Sequence, residues 1–147
     1  MKVAGRWHYV YRAIDQFGQV IDVFVSARRD ATAAHRCFQR AIGATKVTSV
    51  EVTTDQAPMY PAVLEKLLPA AWHRTDRYAN NHIEADHGRL KARLRPMRGL
   101  KQDRSARVII AGHALVQNLR RGHYELAVEE PVKRRVAVAF DELALVV

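Results

Sequence analysis

Two short runs rich in aromatic and β-branched residues flank a four-residue turn. This feature constrains the fold more than any other. Gly5–Ile14 carries Trp7, Tyr9, Val10 and Tyr11, and Gln19–Ser26 carries Val20, Ile21, Val23, Phe24 and Val25. Asp15-Gln16-Phe17-Gly18 lies between them with turn chemistry, so the pair predicts a β-hairpin. Lys2-Val3 is expected as the stub of an earlier strand paired to it. Alternation along Val20–Ser26 puts Asp22 and Phe24 on one face and Ile21, Val23 and Val25 on the other.

The rest of the chain alternates between helix and strand patterns. Asp30 predicts the cap of a helix over Ala31–Ile42, closed by Gly43. Its buried face is expected to hold Ala34, Cys37, Phe38, Ala41 and Ile42. Val47–Thr54 is β-branched except at Ser49 and Glu51, which predicts a buried strand ending at Asp55. Pro58 and Pro61 bracket the start of a short helix to about Leu68, with Val63, Leu64, Leu67 and Leu68 apolar, and Pro69 ends it. Trp72-His73-Arg74 is expected as a short strand. A helix follows over about Asn80–Arg95. Another, over about Ser105–Arg121, is expected to start from a Ser105 cap, to bury Val108, Ile109, Ala111, Leu115 and Leu119, and to end at Gly122. Pro131–Arg135 reads as a basic hinge and Val136–Val147 as a docked helix or a strand. This order predicts an α/β fold, a mixed sheet with helices on its faces. In such sheets chemistry gathers at strand carboxyl ends, and Asp55 lies at one.

Charge narrows the class of partner. Lys and Arg number 24 against 15 Asp and Glu, a net charge of +9, and the pI is near 10.2. Such a balance favours a polyanion. Nucleic acid is the first candidate. A membrane surface is the weaker one, because no long amphipathic segment sets a bulky apolar face against its charges. The 147 residues, 48% of them hydrophobic, suit one domain with a real core and exclude a disordered chain. Cys37, the only cysteine, is expected as a small buried apolar residue. There is no secretory signal and no apolar run of membrane-spanning length, so a soluble, cytoplasmic protein is expected.

The chemistry concentrates in Tyr78–Gly99. Asn80 or Asn81 is placed to cap a helix and Pro96 to stop it. Glu84, His87 and Lys91 then share one stripe, at i, i+3 and i+7. A carboxylate, an imidazole and an ammonium so arranged can serve a metal ion and a phosphate together. Ile83, Leu90 and Leu94 form a second stripe for packing, and Arg89, Arg93, Arg95 and Arg98 add positive charge. An ordinary basic amphipathic helix explains the same pattern equally well. A zinc-protease site is disfavoured, since His82 and His87 lie five apart and no His-Glu-x-x-His occurs. Asp55, at a strand exit, suits a hard cation such as Mg²⁺. Alone it reads more simply as a turn cap before Pro58.

Three segments together carry a resemblance: Thr53-Thr54-Asp55-Gln56-Ala57-Pro58, Tyr78-Ala79-Asn80-Asn81-His82-Ile83-Glu84-Ala85-Asp86-His87, and Arg95-Pro96-Met97-Arg98-Gly99. With Gly5-Arg6-Trp7-His8-Tyr9 and Ser26-Ala27-Arg28-Arg29-Asp30, they resemble the catalytic domain of DDE transposases, in particular the bacterial insertion sequence six family, over about residues 1–125. The resemblance implies an RNase H-like fold and two-metal phosphoryl transfer on DNA ends, with Mg²⁺ or Mn²⁺ as cofactor. It makes Asp55 the second acid and Glu84 the third. Lys91 becomes the basic residue near the scissile phosphate, with His87, Arg89, Arg93, Arg95, Arg98 and Lys101 as further DNA contacts. The implied partners are terminal inverted repeats and target DNA, engaged by a dimer or larger oligomer associated with the bacterial nucleoid. Residues 126–147 form a carboxyl-terminal tail. The Asp55–Glu84 interval is somewhat shorter than in many relatives, which suggests a tightened loop.

The family's first acid lies on the opening strand, in a segment expected just before Met1. Neither Asp15 nor Asp22 matches it, and Asp22 is the nearby candidate, reaching the site only if its side of the strand faces the Asp55 edge. The chain therefore reads as an amino-terminally truncated transposase, expected to be inactive alone. Two other readings stay open: a non-catalytic DNA-binding or dimerising fragment of the same fold, and a small basic nucleic-acid-binding protein.

Overall fold

The computed structural model describes residues 1–76, 78 and 81–147, with His82 described by its backbone only. The described residues form a mixed α/β structure. In chain order it runs β1 (Lys2–Val3), β2 (Arg6–Trp7), β3 (Tyr9–Ile14), β4 (Val20–Ser26), α1 (Ala31–Thr45), β5 (Glu51–Thr53), α2 (Tyr60–Leu67), β6 (Trp72–Arg74), α3 (Asn81–Leu94), α4 (Asp103–Arg121) and α5 (Val132–Ala144). Where one mixed sheet is expected from the sequence, the ladders fall into three two-stranded sheets among the described residues. β1–β2 and β3–β4 are antiparallel, and β5–β6 is parallel.

The hairpin β3–β4 is the centre of the molecule. Asp15 Oδ1 accepts the N–H groups of Phe17 and Gln19, both at 2.9 Å, and Gly18 takes a φ of 84° that an L side chain resists. Side-chain alternation then gives the hairpin two working faces. Tyr11 and Phe24 pack with Ala33, Ala34 and Cys37 of α1 and Val63 of α2. Val10, Val23 and Val25 pack the other way, against Leu90 of α3, Leu100, and Ala106 and Ile110 of α4. Complete burial of Val3 and Ile110 contributes roughly 1.5–3 kcal/mol each relative to exposure. A third cluster, Leu119, Ala127 and Ala139, docks α5 on the end of α4.

Several boundaries differ from the sequence reading. α1 runs through Gly43 to Thr45 and ends at Lys46, in the left-handed region. Thr45 Oγ1 shares its one proton between the carbonyls of Ala41 and Ile42, each at 3.2 Å. The Asp30 cap is as expected, accepting Ala33 N–H at 2.8 Å. The predicted strand Val47–Thr54 shrinks to β5, and Val50 is 85% exposed. Its β-branched run is longer than its partner, the three-residue β6, and residues 47–49 have no ladder to join among the described residues. Pro131–Arg135 is not a hinge, because α5 begins within it at Val132 and resolves the helix-or-strand alternative as helix. The cap expected at Asn80 lies outside the described residues.

α4 departs most. It begins at Asp103 rather than after a Ser105 cap, and Gly122 ends it with φ 77°. Val108 and Leu115, expected inside, face solvent, while Ala106, Ile110, His113, Ala114, Gln117 and Asn118 face inward beside Leu119. Polar bonds add to the apolar packing of that face. Asn118 Oδ1 accepts Val20 N–H at 2.9 Å and its Nδ2 donates to Val20 C=O at 2.8 Å, sealing one end of β4. No helix among the described residues is long and apolar enough to cross a membrane.

Candidate active site

Asp55 stands two residues beyond the end of β5, at the carboxyl end of the parallel pair. Thr54 N–H donates to the Arg74 carbonyl at 3.0 Å, extending the β5–β6 ladder by one bond. Thr54 Oγ1 donates to the Asp55 carbonyl at 2.8 Å and lies 2.7 Å from His73 Nε2. The hydroxyl has only one proton, so His73 is the donor in that second bond. The Asp55 backbone is therefore held from two strands.

Its carboxylate is half-exposed and already engaged. Oδ1 accepts Ala57 N–H at 3.0 Å, the turn-capping bond expected of an aspartate before Pro58. Oδ2 receives Arg29 Nη2 at 2.7 Å, from the segment joining β4 to α1. Burial first, and Asp55 second, push the Tyr60 phenol up to about 12, so it stays neutral beside this carboxylate.

Glu84 occupies the exposed first turn of α3. Leu90 is buried, with Leu94 packed beside it and Ile83 half-buried, so the expected apolar stripe holds α3 against the core. Lys91, Arg93, Arg95, Arg98 and Lys101 are all exposed. His87 is half-buried. Burial, then Arg12 and Lys91, lower its pKa to about 4, so it is neutral at pH 7. No cluster of three His, Cys, Asp or Glu suited to a metal ion forms among the described residues. Asp22 is bonded to Arg40 of α1, at 2.7 and 2.8 Å.

The residue that sequence reasoning passed over is Asp86. It is fully buried on α3 and faces three guanidinium groups. Arg12 Nη1 of β3 lies 3.3 Å from Oδ2, and Arg89 Nη1 lies 3.2 Å from Oδ1. Arg121 of α4 bonds both oxygens and also donates to the Gly18 carbonyl at 2.9 Å. Burial would raise the Asp86 carboxyl, but Arg121, Arg12 and Arg89 together hold it below the usual carboxylate range. This knot joins the hairpin, α3 and α4. Its signal was present, because Asp86 stands four before Leu90 on the apolar stripe and Arg12 interrupts an apolar strand.

A family model described as a DDE domain, of the IS240 transposase type, matches residues 1–123. The chain belongs to the DDE transposase domain family. This agrees with the resemblance read over residues 1–125. The DDE domain is 36% identical over 98 residues to the transposase for insertion sequence-like element IS431mec of Staphylococcus aureus strain N315, covering 63% of this chain and 43% of that one. The Staphylococcus aureus transposase for insertion sequence element IS257 in transposon Tn4003 gives the same figures. An uncharacterized protein of Yersinia pseudotuberculosis is 30% identical over 73 residues, 46% of this chain and 65% of that protein. The chain thus spans 43% of the length of the Staphylococcus transposases it matches. No solved structure matches.

Proposed function

We propose that this DDE domain is the RNase H-like catalytic core of an insertion-sequence transposase, cutting and joining DNA ends by metal-dependent phosphoryl transfer. The family match over residues 1–123 carries the reading. The placement of the two acids supports it, with Asp55 at a strand carboxyl end and Glu84 on an exposed helical turn. Residues 1–125 form the core and residues 126–147 the tail. The working form is a dimer or larger oligomer on terminal repeats and target DNA.

Two solvent-accessible carboxylates are the donor type that Mg²⁺ or Mn²⁺ prefers, so Asp55 and Glu84 fit the cation the family implies. These two carboxylates would hold the ion, which would supply Lewis-acid polarisation of the phosphodiester. The chain's own residues position the DNA around that pair of acids. Arg29 neutralises Asp55 at rest and exchanges that carboxylate for a phosphate oxygen when Asp55 is engaged. Lys91, on the same face of α3 as Glu84, holds the phosphate near the reacting bond. Arg89, Arg93, Arg95, Arg98 and Lys101 hold the flanking backbone. His87, neutral at pH 7, contributes a hydrogen bond rather than a charge.

Mn²⁺ titration by calorimetry tests the metal assignment without requiring turnover. Asp55→Asn and Glu84→Gln should each weaken binding at least about tenfold with the circular dichroism spectrum unchanged. Unaltered affinity in both variants refutes the site. Duplex DNA binding should weaken with salt, with a log–log slope of about −0.9 per phosphate contact, and a flat response refutes the DNA reading.

A further inference from the structure

Two tryptophans stand out from the surface, and they differ in the charge around them. Trp72 is 66% exposed, with the Arg74 guanidinium 5.8 Å from its ring centroid. Arg74, however, is held by the carboxylates of Glu51 and Asp76. Trp7 is 65% exposed, with the Lys2 ammonium 5.4 Å from its ring centroid. No carboxylate pairs with Lys2 or with the exposed Arg6 among the described residues. The first tryptophan sits in a neutralised setting and the second in a cationic one.

Trp7 is also firmly mounted. Ala4 and Gly5, with φ of 47° and 79°, make the tight turn between β1 and β2, and Lys2 pairs with Trp7 across it. The left-handed region is unfavourable for an alanine and persists only where its surroundings hold it. Here the turn is pinned. Ala4 N–H donates to the Leu100 carbonyl at 2.8 Å, and Val3 is fully buried with Leu90 and Leu100. The hairpin is thereby bonded to the segment after α3 that carries Arg98 and Lys101. Asp103, the carboxylate at the start of α4, lies 3.4 Å from His8 Nε2.

An exposed indole on an anchored turn, among uncompensated cations, suits a nucleobase with its phosphates. Base–aromatic stacking tolerates any sequence, because every base has a π-face. Bases inside a duplex are already stacked, so only an unpaired base is free to use the ring. We propose that Trp7 and Lys2 form a stacking platform for an unpaired nucleobase of the DNA carried along α3 and residues 95–101. The platform recognises a frayed or single-stranded end rather than a sequence. This rests on the DNA reading above.

The test is fluorescence anisotropy with the 147-residue chain and labelled duplexes of one length, either blunt or bearing short unpaired tails. Tailed DNA should bind roughly 5- to 100-fold more tightly than blunt. Trp7→Ala should lower the affinity for tailed DNA to the blunt level, Trp7→Phe should keep part of the preference, and Trp72→Ala should leave it intact. In Trp72→Phe, Trp7 is the only tryptophan, and tailed DNA should quench its emission where blunt DNA does not. Equal binding of tailed and blunt DNA, or a preference that survives Trp7→Ala, overturns the platform and leaves the DNA reading standing. Failure to bind either duplex overturns both.

Discussion

Asp86→Asn isolates the buried charge that ties α3 to the hairpin and to α4. Asp86 is the carboxylate facing Arg12, Arg89 and Arg121, and the Arg12 side chain is completely buried with it. Arg12 Nε, Nη1 and Nη2 have no hydrogen-bond acceptor among the described residues, and the ion pair at 3.3 Å compensates its charge. At an effective dielectric of 20 that separation corresponds to about 5 kcal/mol of gross attraction. Desolvation of both groups offsets much of this in the intact pair. Removing one partner is different, because the other charge stays buried and unpaired, at a cost of about 3–5 kcal/mol. For a chain of this size the melting temperature should fall by about 10 °C. Urea unfolding followed by circular dichroism measures the loss, and Asp86→Asn with Arg12→Met closes a double-mutant cycle. The double variant should recover much of the stability, with a coupling of about 1.5 kcal/mol or more. The charge also has a pH signature. The folded carboxyl lies below its unfolded value, so its stabilisation is present above about pH 4 and is lost as pH falls through the depressed folded value. Asp86→Asn should remove that component of acid unfolding. A cost under about 1 kcal/mol, or additive single substitutions, would refute the argument.

Two further predictions rest on other buried polar groups. His87 has a folded pKa of about 4 against about 6.5 unfolded. Between these values the unfolded chain holds the proton, so stability should fall by about 3 kcal/mol as pH drops through that window. His87→Gln should flatten this slope in urea titrations at stepped pH, and an unchanged slope would show that another group is responsible. Asn118→Ala strips partners from both the N–H and the C=O of Val20 at a site 1% exposed. It should cost about 3 kcal/mol, measured by the urea midpoint, and a loss below about 1 kcal/mol would mean that water replaces the amide.

Elements whose signals are local were readable in the sequence. The Asp15–Gly18 turn sets the hairpin, Asp30 caps α1, and Gly122 ends α4, each through bonds made within a few residues. The apolar stripe of α3 was likewise readable, and the three motif segments identified the family before any fold was in view. Those motifs named Asp55 and Glu84 by resemblance. The structure adds what resemblance lacks, the Arg29 bond on Asp55 and its place just beyond a parallel strand pair.

The sequence by itself determined the local elements, the basic charge and the family, because these depend on neighbours in the chain. Tertiary structure alone decided which face of α4 turns inward. Val108 and Leu115 turn outward because Ala106 and Ile110 pack into the core under the hairpin, and on the same face Asn118 satisfies the Val20 backbone across 98 positions of chain. It also decided that Arg12, Asp86 and Arg121 meet, because nothing local in the chain pairs them. A buried ion has no stable place unless its partners arrive together, and only the packing of β3, α3 and α4 brings them to one point.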